Sequence, residues 1–182
     1  RTDLAAQTAL DYVSQQPQAV YAPSLLFTAG RYLEIQGNLE EAAQIWDRIA
    51  TNYPSSDQSF QAAFFAGILH FRRGDLTASA ASLNRAILLA LEPLENAGAY
   101  LWLGKVSQTM GEDAKAQEYW KSAASADPAG YYGLRAKELA EGKQAFTSPE
   151  RLDLRIDMKN AREVAAAWMR TSFDLPPQVD LD

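Results

Sequence analysis

Residues 101–128 read LWLGKVSQTMGEDAKAQEYWKSAASADP. Two glycines, Gly104 and Gly111, stand seven apart, small residues follow at helical spacing, and Pro128 closes the stretch. The same pair occurs twice upstream. Gly30 and Gly37 lead AGRYLEIQGNLEEA, Gly67 and Gly74 lead AGILHFRRGDLTAS, and each glycine lies 37 residues from its counterpart. A double recurrence at fixed period is the mark of a repeat architecture, in which each unit buries its apolar face on its neighbours.

Each glycine has a physical reading. The first lies inside a helical pattern, where glycine costs ~1 kcal/mol relative to alanine. It is expected where a neighbouring helix crosses too closely for a side chain. The second follows the apolar pattern and precedes Asn38, Asp75 or Glu112. That spacing predicts a left-handed C-terminal cap leading into the next helix. Small residues come next (Ala42, Ala78 or Ser79, Ala116), then a large one (Trp46, Leu83, Trp120), then Ile49, Ala86 or Ala123. Pro54 and Pro128 stop the first and third units, and Pro93 is read as the stop of the middle one.

The register runs off both ends. Counting back 37 residues places Ala5, Ala9, Tyr12 and Pro17 on second-helix positions, so residues 2–16 read as a second helix lacking its first. Forward, the period fails. A helix is expected over residues 129–141, capped by Gly142, followed by a polar stretch over 143–151. Leu152, Leu154, Ile156 and Met158 alternate with polar residues, the period of an extended strand. A last helix is expected over 161–173 with Val164, Ala165, Trp168 and Met169 on one face, ended by Pro176 and Pro177.

The pattern resembles the tetratricopeptide repeat, through Gly30, Gly37, Ala42, Trp46 and Pro54 in one unit and Gly104, Gly111, Ala116, Trp120, Ala123 and Pro128 in another. The middle unit departs from it at Ser79 and Leu83, and the period is longer than the family's. The expected fold is all-α, a right-handed superhelical solenoid of about four antiparallel helix pairs beginning mid-repeat. The array is assigned to residues 1–142. Residues 143–182 are assigned to a linker, an extended segment and a terminal helix packed on the array.

Composition narrows the function classes. A chain of 182 residues can bury roughly 70% of its unfolded surface. A net charge of −6 argues against a basic patch for nucleic acid and against a polybasic membrane anchor. The apolar run AILLAL at 86–91 falls far short of the ~20 residues that span a bilayer. With no cysteine there is no disulfide, thiolate nucleophile or zinc–thiolate site. The start at Arg1, without methionine or apolar leader, reads as a piece of a longer protein.

The segment AGYYGLRAKELAEG, directly after SADP, resembles the helical region of bacterial soluble lytic transglycosylases, through Tyr131, Tyr132, Gly133, Leu134 and Ala136. Ala165 to Trp168 before a proline stop is similar to the same arrangement. The resemblance implies an extracytoplasmic, non-catalytic scaffold that positions peptidoglycan glycan strands, or a partner, for a catalytic domain elsewhere. In that family the catalytic glutamate precedes a serine. None of the eleven glutamates here does, so no enzyme is expected within these residues. The alternative is a protein–protein interaction scaffold with no glycan role.

His70, the only histidine, falls on a first-helix packing position and reads as a core or groove residue rather than a general base. Without a second histidine or a cysteine, no metal or other cofactor is expected. Carboxylates at Glu40–Glu41, Glu92–Glu95 and Asp153–Asp157 read as caps and macrodipole partners. Candidate groove residues lie on the first helices: Phe27 and Arg31; Phe64, Phe65, Ile68 and Arg72; Trp102 and Lys105. Aromatic groups beside cations suit stacking on sugars or gripping a peptide. The competing reading makes them core. Expected partners are a protein, the chain's own catalytic domain, or glycan strands, and not nucleic acid.

Overall fold

The computed structural model describes residues 2–143, 158–176 and 179. The chain divides into two compact units, Arg1–Ala145 and Phe146–Asp182. The first holds α1 (Thr2–Gln15), α2 (Ala22–Ile35), α3 (Leu39–Asn52), α4 (Ser59–Arg72), α5 (Leu76–Leu89), α6 (Pro93–Thr109), α7 (Asp113–Ala126) and α8 (Tyr131–Ala140). The second holds α9 (Met158–Ser172). The pairs α2–α3, α4–α5 and α6–α7 are the three glycine-marked units, and each helix packs chiefly on its sequence neighbours. This is the solenoid expected from the period, with α1 as the unpaired second helix.

The second glycine of each unit adopts the left-handed conformation, at φ 86° for Gly37, 81° for Gly74 and 78° for Gly111. The bonds around it satisfy the last carbonyls of the helix. Asn38 N–H donates to Leu33 O (2.9 Å), Asp75 N–H to His70 O (2.9 Å) and Glu112 N–H to Ser107 O (2.8 Å). Gly142 (φ 71°) closes α8 likewise, through Lys143 N–H to Glu138 O (2.8 Å). Space does not select these glycines, because a Cβ at any of them would meet nothing within 4 Å. Conformation alone does. Gly111→Ala is therefore expected to cost ~1–2 kcal/mol in urea unfolding, and Gly111→Asn clearly less, since asparagine tolerates the left-handed region.

The first glycines are selected by space. An added Cβ would stand 2.4 Å from Trp46 Nε1 at Gly30, 2.6 Å from Leu83 Cγ at Gly67 and 2.2 Å from Trp120 Nε1 at Gly104. The large residue of each second helix thus lies against the bare backbone of its first helix. In the outer units the indole also donates across the crossing, Trp46 to Phe27 O and Trp120 to Leu101 O, both at 3.3 Å. The middle unit carries Leu83 and has no indole. There the Ser79 hydroxyl, buried at the position of Ala42 and Ala116, donates to Gly67 O at 2.7 Å. The departure from the repeat pattern at Ser79 and Leu83 thus supplies a different bond across the same crossing.

Three expectations are corrected. Pro93 does not end α5, which stops at Leu89; it opens α6, where its missing N–H costs nothing. The Glu95 carboxylate accepts from Leu91 N–H (2.8 Å) and Glu92 N–H (3.2 Å), in line with the capping role read from sequence. Met158, placed in an extended segment, begins α9. Phe64, counted among the exposed groove candidates, is buried in the middle core cluster. The remainder of the expected extended segment, together with Asp153 and Asp157, lies outside the described residues.

Candidate interaction face

The first helices α2, α4, α6 and α8 supply one face, with α4 packed on α6 and α6 on α8. The candidates fall into two groups on it. Around α2 and α4, Phe27 and Phe65 lie 6.0 Å apart and both pack on the Trp46 indole, at 5.8 and 5.4 Å between ring centroids. The Arg31 guanidinium sits 6.0 Å from the Phe65 centroid and pairs with Glu34. Arg72, one repeat on, reaches the same Glu34 at 3.6 Å. One carboxylate therefore serves two cations from adjacent repeats. Phe27 and Phe65 are partly buried, each with one side in the core.

The second group is on α6. Lys105 Nζ lies 4.1 Å from the Trp102 ring centroid, a close cation–π contact, and Trp102 also packs edge-to-face with Phe71 at 5.6 Å between centroids. Burial lowers the Lys105 pKa from its ordinary value, and the positive charge of Arg135 on α8 lowers it further. Arg135 itself pairs with Glu138 at 2.7 Å. Among the described residues no carboxylate pairs with Lys105. Between α4, α6 and α8 lies a small cavity of about 240 Å³, walled by Phe60, Phe64, Phe65, Leu94 and Tyr132. Glu34, Phe71, Tyr132 and Arg135 belong to the face but were not among the sequence candidates. Arg135 and Tyr132 lie beyond the last repeat, where the 37-residue period carries no signal.

His70 is buried, as its helix position implied, and Nε2–H donates to Asp47 Oδ2 at 2.8 Å. The Ser82 hydroxyl donates to the other oxygen of the same carboxylate at 2.6 Å. Serine, histidine and aspartate do meet here, but the hydroxyl bonds the carboxylate and not the imidazole. The imidazole is therefore not placed to take the serine's proton, as an activated nucleophile of this kind would need. The set ties α3, α4 and α5 together.

A family model described as Tetratricopeptide repeat matches residues 25–56, the span of α2 and α3. Two crystal structures of MamA superpose on the chain at a TM-score of 0.60. One is 21% identical and covers 95% of this chain and 87% of its own. The other is 20% identical, with 96% and 87% covered. The fold is tetratricopeptide-like. No curated protein matches the chain. Neither the family match nor the MamA structures carry the likeness to lytic transglycosylases. Packing in the array accounts for three of the five residues on which that likeness rests, Tyr132, Gly133 and Ala136, while Tyr131 and Leu134 are exposed. Gly133 admits α8 to within 1.9 Å, at its would-be Cβ, of Asp127 O. Tyr132 packs edge-on against Phe64, and Ala136 is buried in the last core cluster.

Proposed function

We propose that this tetratricopeptide-like array is a protein-interaction scaffold whose first-helix face takes a segment of a partner protein. An acidic group of that segment would sit beside Lys105 and Arg135. The observation that carries the reading is Lys105, a half-buried ammonium held over Trp102, next to a second cation and without a carboxylate of its own among the described residues. A bound carboxylate removes the electrostatic penalty of that arrangement, while Trp102 and the α4–α6–α8 cavity offer apolar surface for neighbouring side chains. The other cations of the face share Glu34 or pair with Glu138, so this end of the face is the most receptive to an anion.

The test is binding to an array of short peptides that vary in charge and aromatic content. Acidic peptides with an apolar neighbour should bind best. Affinity should fall about tenfold in Lys105→Met, which corresponds to the ~1.4 kcal/mol of one charge-assisted contact. Equal binding of basic and acidic peptides, or an unchanged Lys105→Met, would sink the proposal. The glycan-positioning role and extracytoplasmic placement rest only on the likenesses at Tyr131–Ala136 and Ala165–Trp168. Co-sedimentation with purified peptidoglycan sacculi, lost in Trp102→Ala, would move the reading towards them.

A further inference from the structure

The cavity between α4, α6 and α8 and the Lys105 group are two ends of one surface. Each of the three helices supplies both ends. Phe64, Gly98 and Tyr132 line the cavity. Phe71, Trp102 and Arg135 follow them by seven, four and three residues, spacings that keep to one helix face. Phe71 packs on Trp102, Lys105 lies over Trp102, and the charge of Arg135 acts on Lys105. Contacts at both levels require the three helices to run the same way, so the cations lie beyond the cavity in one direction. The two ends differ in charge. Glu95 lines the cavity, its carboxylate held by Leu91 N–H and Glu92 N–H. An acidic group is therefore repelled at the cavity and attracted at Lys105 and Arg135.

We infer that the partner segment runs extended along α6, with one aromatic side chain in the cavity and an acidic residue two positions away against Lys105 and Arg135. The inference rests on the reading of Lys105 and Arg135 as the seat of an acidic group, and adds what stands beside that group and how far away. The cavity holds about 240 Å³, and an apolar cavity of about 150 Å³ already admits a benzene ring. Its walls include the rings of Phe60, Phe64, Phe65 and Tyr132, which offer edges and faces to an entering ring. The spacing follows from α6. Trp102 lies four residues beyond Gly98, about 6 Å along the helix axis, and Lys105 Nζ is folded back over the Trp102 ring. An extended chain brings side chains to one face every second residue, about 6.6 Å apart. The two distances agree, so aromatic–x–acidic is the pattern that reaches both ends at once.

The test is a fluorescence-anisotropy titration of the whole chain with labelled glycine–serine peptides. Each carries one phenylalanine and one aspartate, at varied separation and in both chain orders. Binding should be tightest with one intervening residue, about tenfold tighter than when alanine replaces the phenylalanine at that spacing. Leu94→Trp, which fills the cavity from its wall, should remove the advantage of phenylalanine. Leu94 is half exposed, so the urea midpoint of this variant should match wild type and a lost advantage is not a loss of fold. Suppose instead that aspartate is preferred over serine, that Lys105→Met abolishes the preference, and that phenylalanine adds nothing at any spacing. The inference is then overturned while the acidic site stands. No preference for aspartate overturns both. An advantage of phenylalanine that ignores spacing, that peaks at the three intervening residues of a helical segment, or that survives Leu94→Trp also overturns the inference.

Discussion

Gly104→Ala should lower the stability of the array by up to about 2 kcal/mol in the wild-type background and raise it by about 1 kcal/mol once Trp120 is alanine. The added Cβ would lie 2.2 Å from Nε1 and 2.4 Å from Cδ1 of Trp120. That ring is almost fully buried, and its N–H is bound to Leu101 O, so it cannot retreat without losing both packing and the bond. Overpacking costs ~1–3 kcal/mol, from which the better helix propensity of alanine returns ~1. Trp120→Ala alone costs ~3–5 kcal/mol through lost burial and the cavity left behind. With the ring gone the methyl meets open volume, and only the propensity gain remains. The pair should therefore show a coupling of ~1–3 kcal/mol in a double-mutant cycle by urea unfolding. Additivity within ~0.5 kcal/mol would show that Gly104 is not chosen by the indole.

Asp47→Ala should cost about 3 kcal/mol although Asp47 lies at the edge of the core. Its carboxylate is the acceptor for two donors from different helices, His70 Nε2–H at 2.8 Å and Ser82 Oγ–H at 2.6 Å. His70 is 6% exposed and Ser82 5%, so neither finds water when the carboxylate goes. An orphaned buried donor costs ~1–3 kcal/mol, and two are orphaned together. Asp47→Asn keeps one acceptor oxygen and should cost about half as much. The combination Asp47→Ala, His70→Leu, Ser82→Ala removes the donors too and should recover most of the loss. A loss below ~1 kcal/mol in Asp47→Ala alone would reduce the three residues to incidental neighbours.

Legibility in the sequence followed a physical division. A left-handed glycine and a 3.6-residue apolar period are properties of a residue and its near neighbours, so Gly37, Gly74 and Gly111 announced their helix ends without any tertiary knowledge. The 37-residue recurrence extended this to the crossings, because identical units must pack identically. Gly30, Gly67 and Gly104 could thus be assigned to close approaches, and α1 recognised as a second helix, from spacing alone. Where the period lapses the reading weakened. Pro93 was taken as an end because a proline stops as readily as it starts a helix. The motif at Tyr131–Ala136 suggested a family likeness, whereas in the fold its glycine and alanine let α8 pack tightly against the end of α7.

The face itself was only half readable. Phe65 and Trp102 share a register position, and Lys105 follows Trp102 by one helical turn, so that pair was visible, whereas Arg31, grouped in sequence with Phe27, meets Phe65 of the next repeat. Sequence determined the helices, their caps, their pairing and the side of the array on which these groups stand. The tertiary structure decided that one carboxylate, Glu34, answers both Arg31 and Arg72, that Arg135 depresses Lys105, and that His70 and Ser82 meet on Asp47. Each of these joins residues from different helices, far apart in the chain. Their separation in space depends on how successive pairs rotate as they stack, a quantity that no local period encodes.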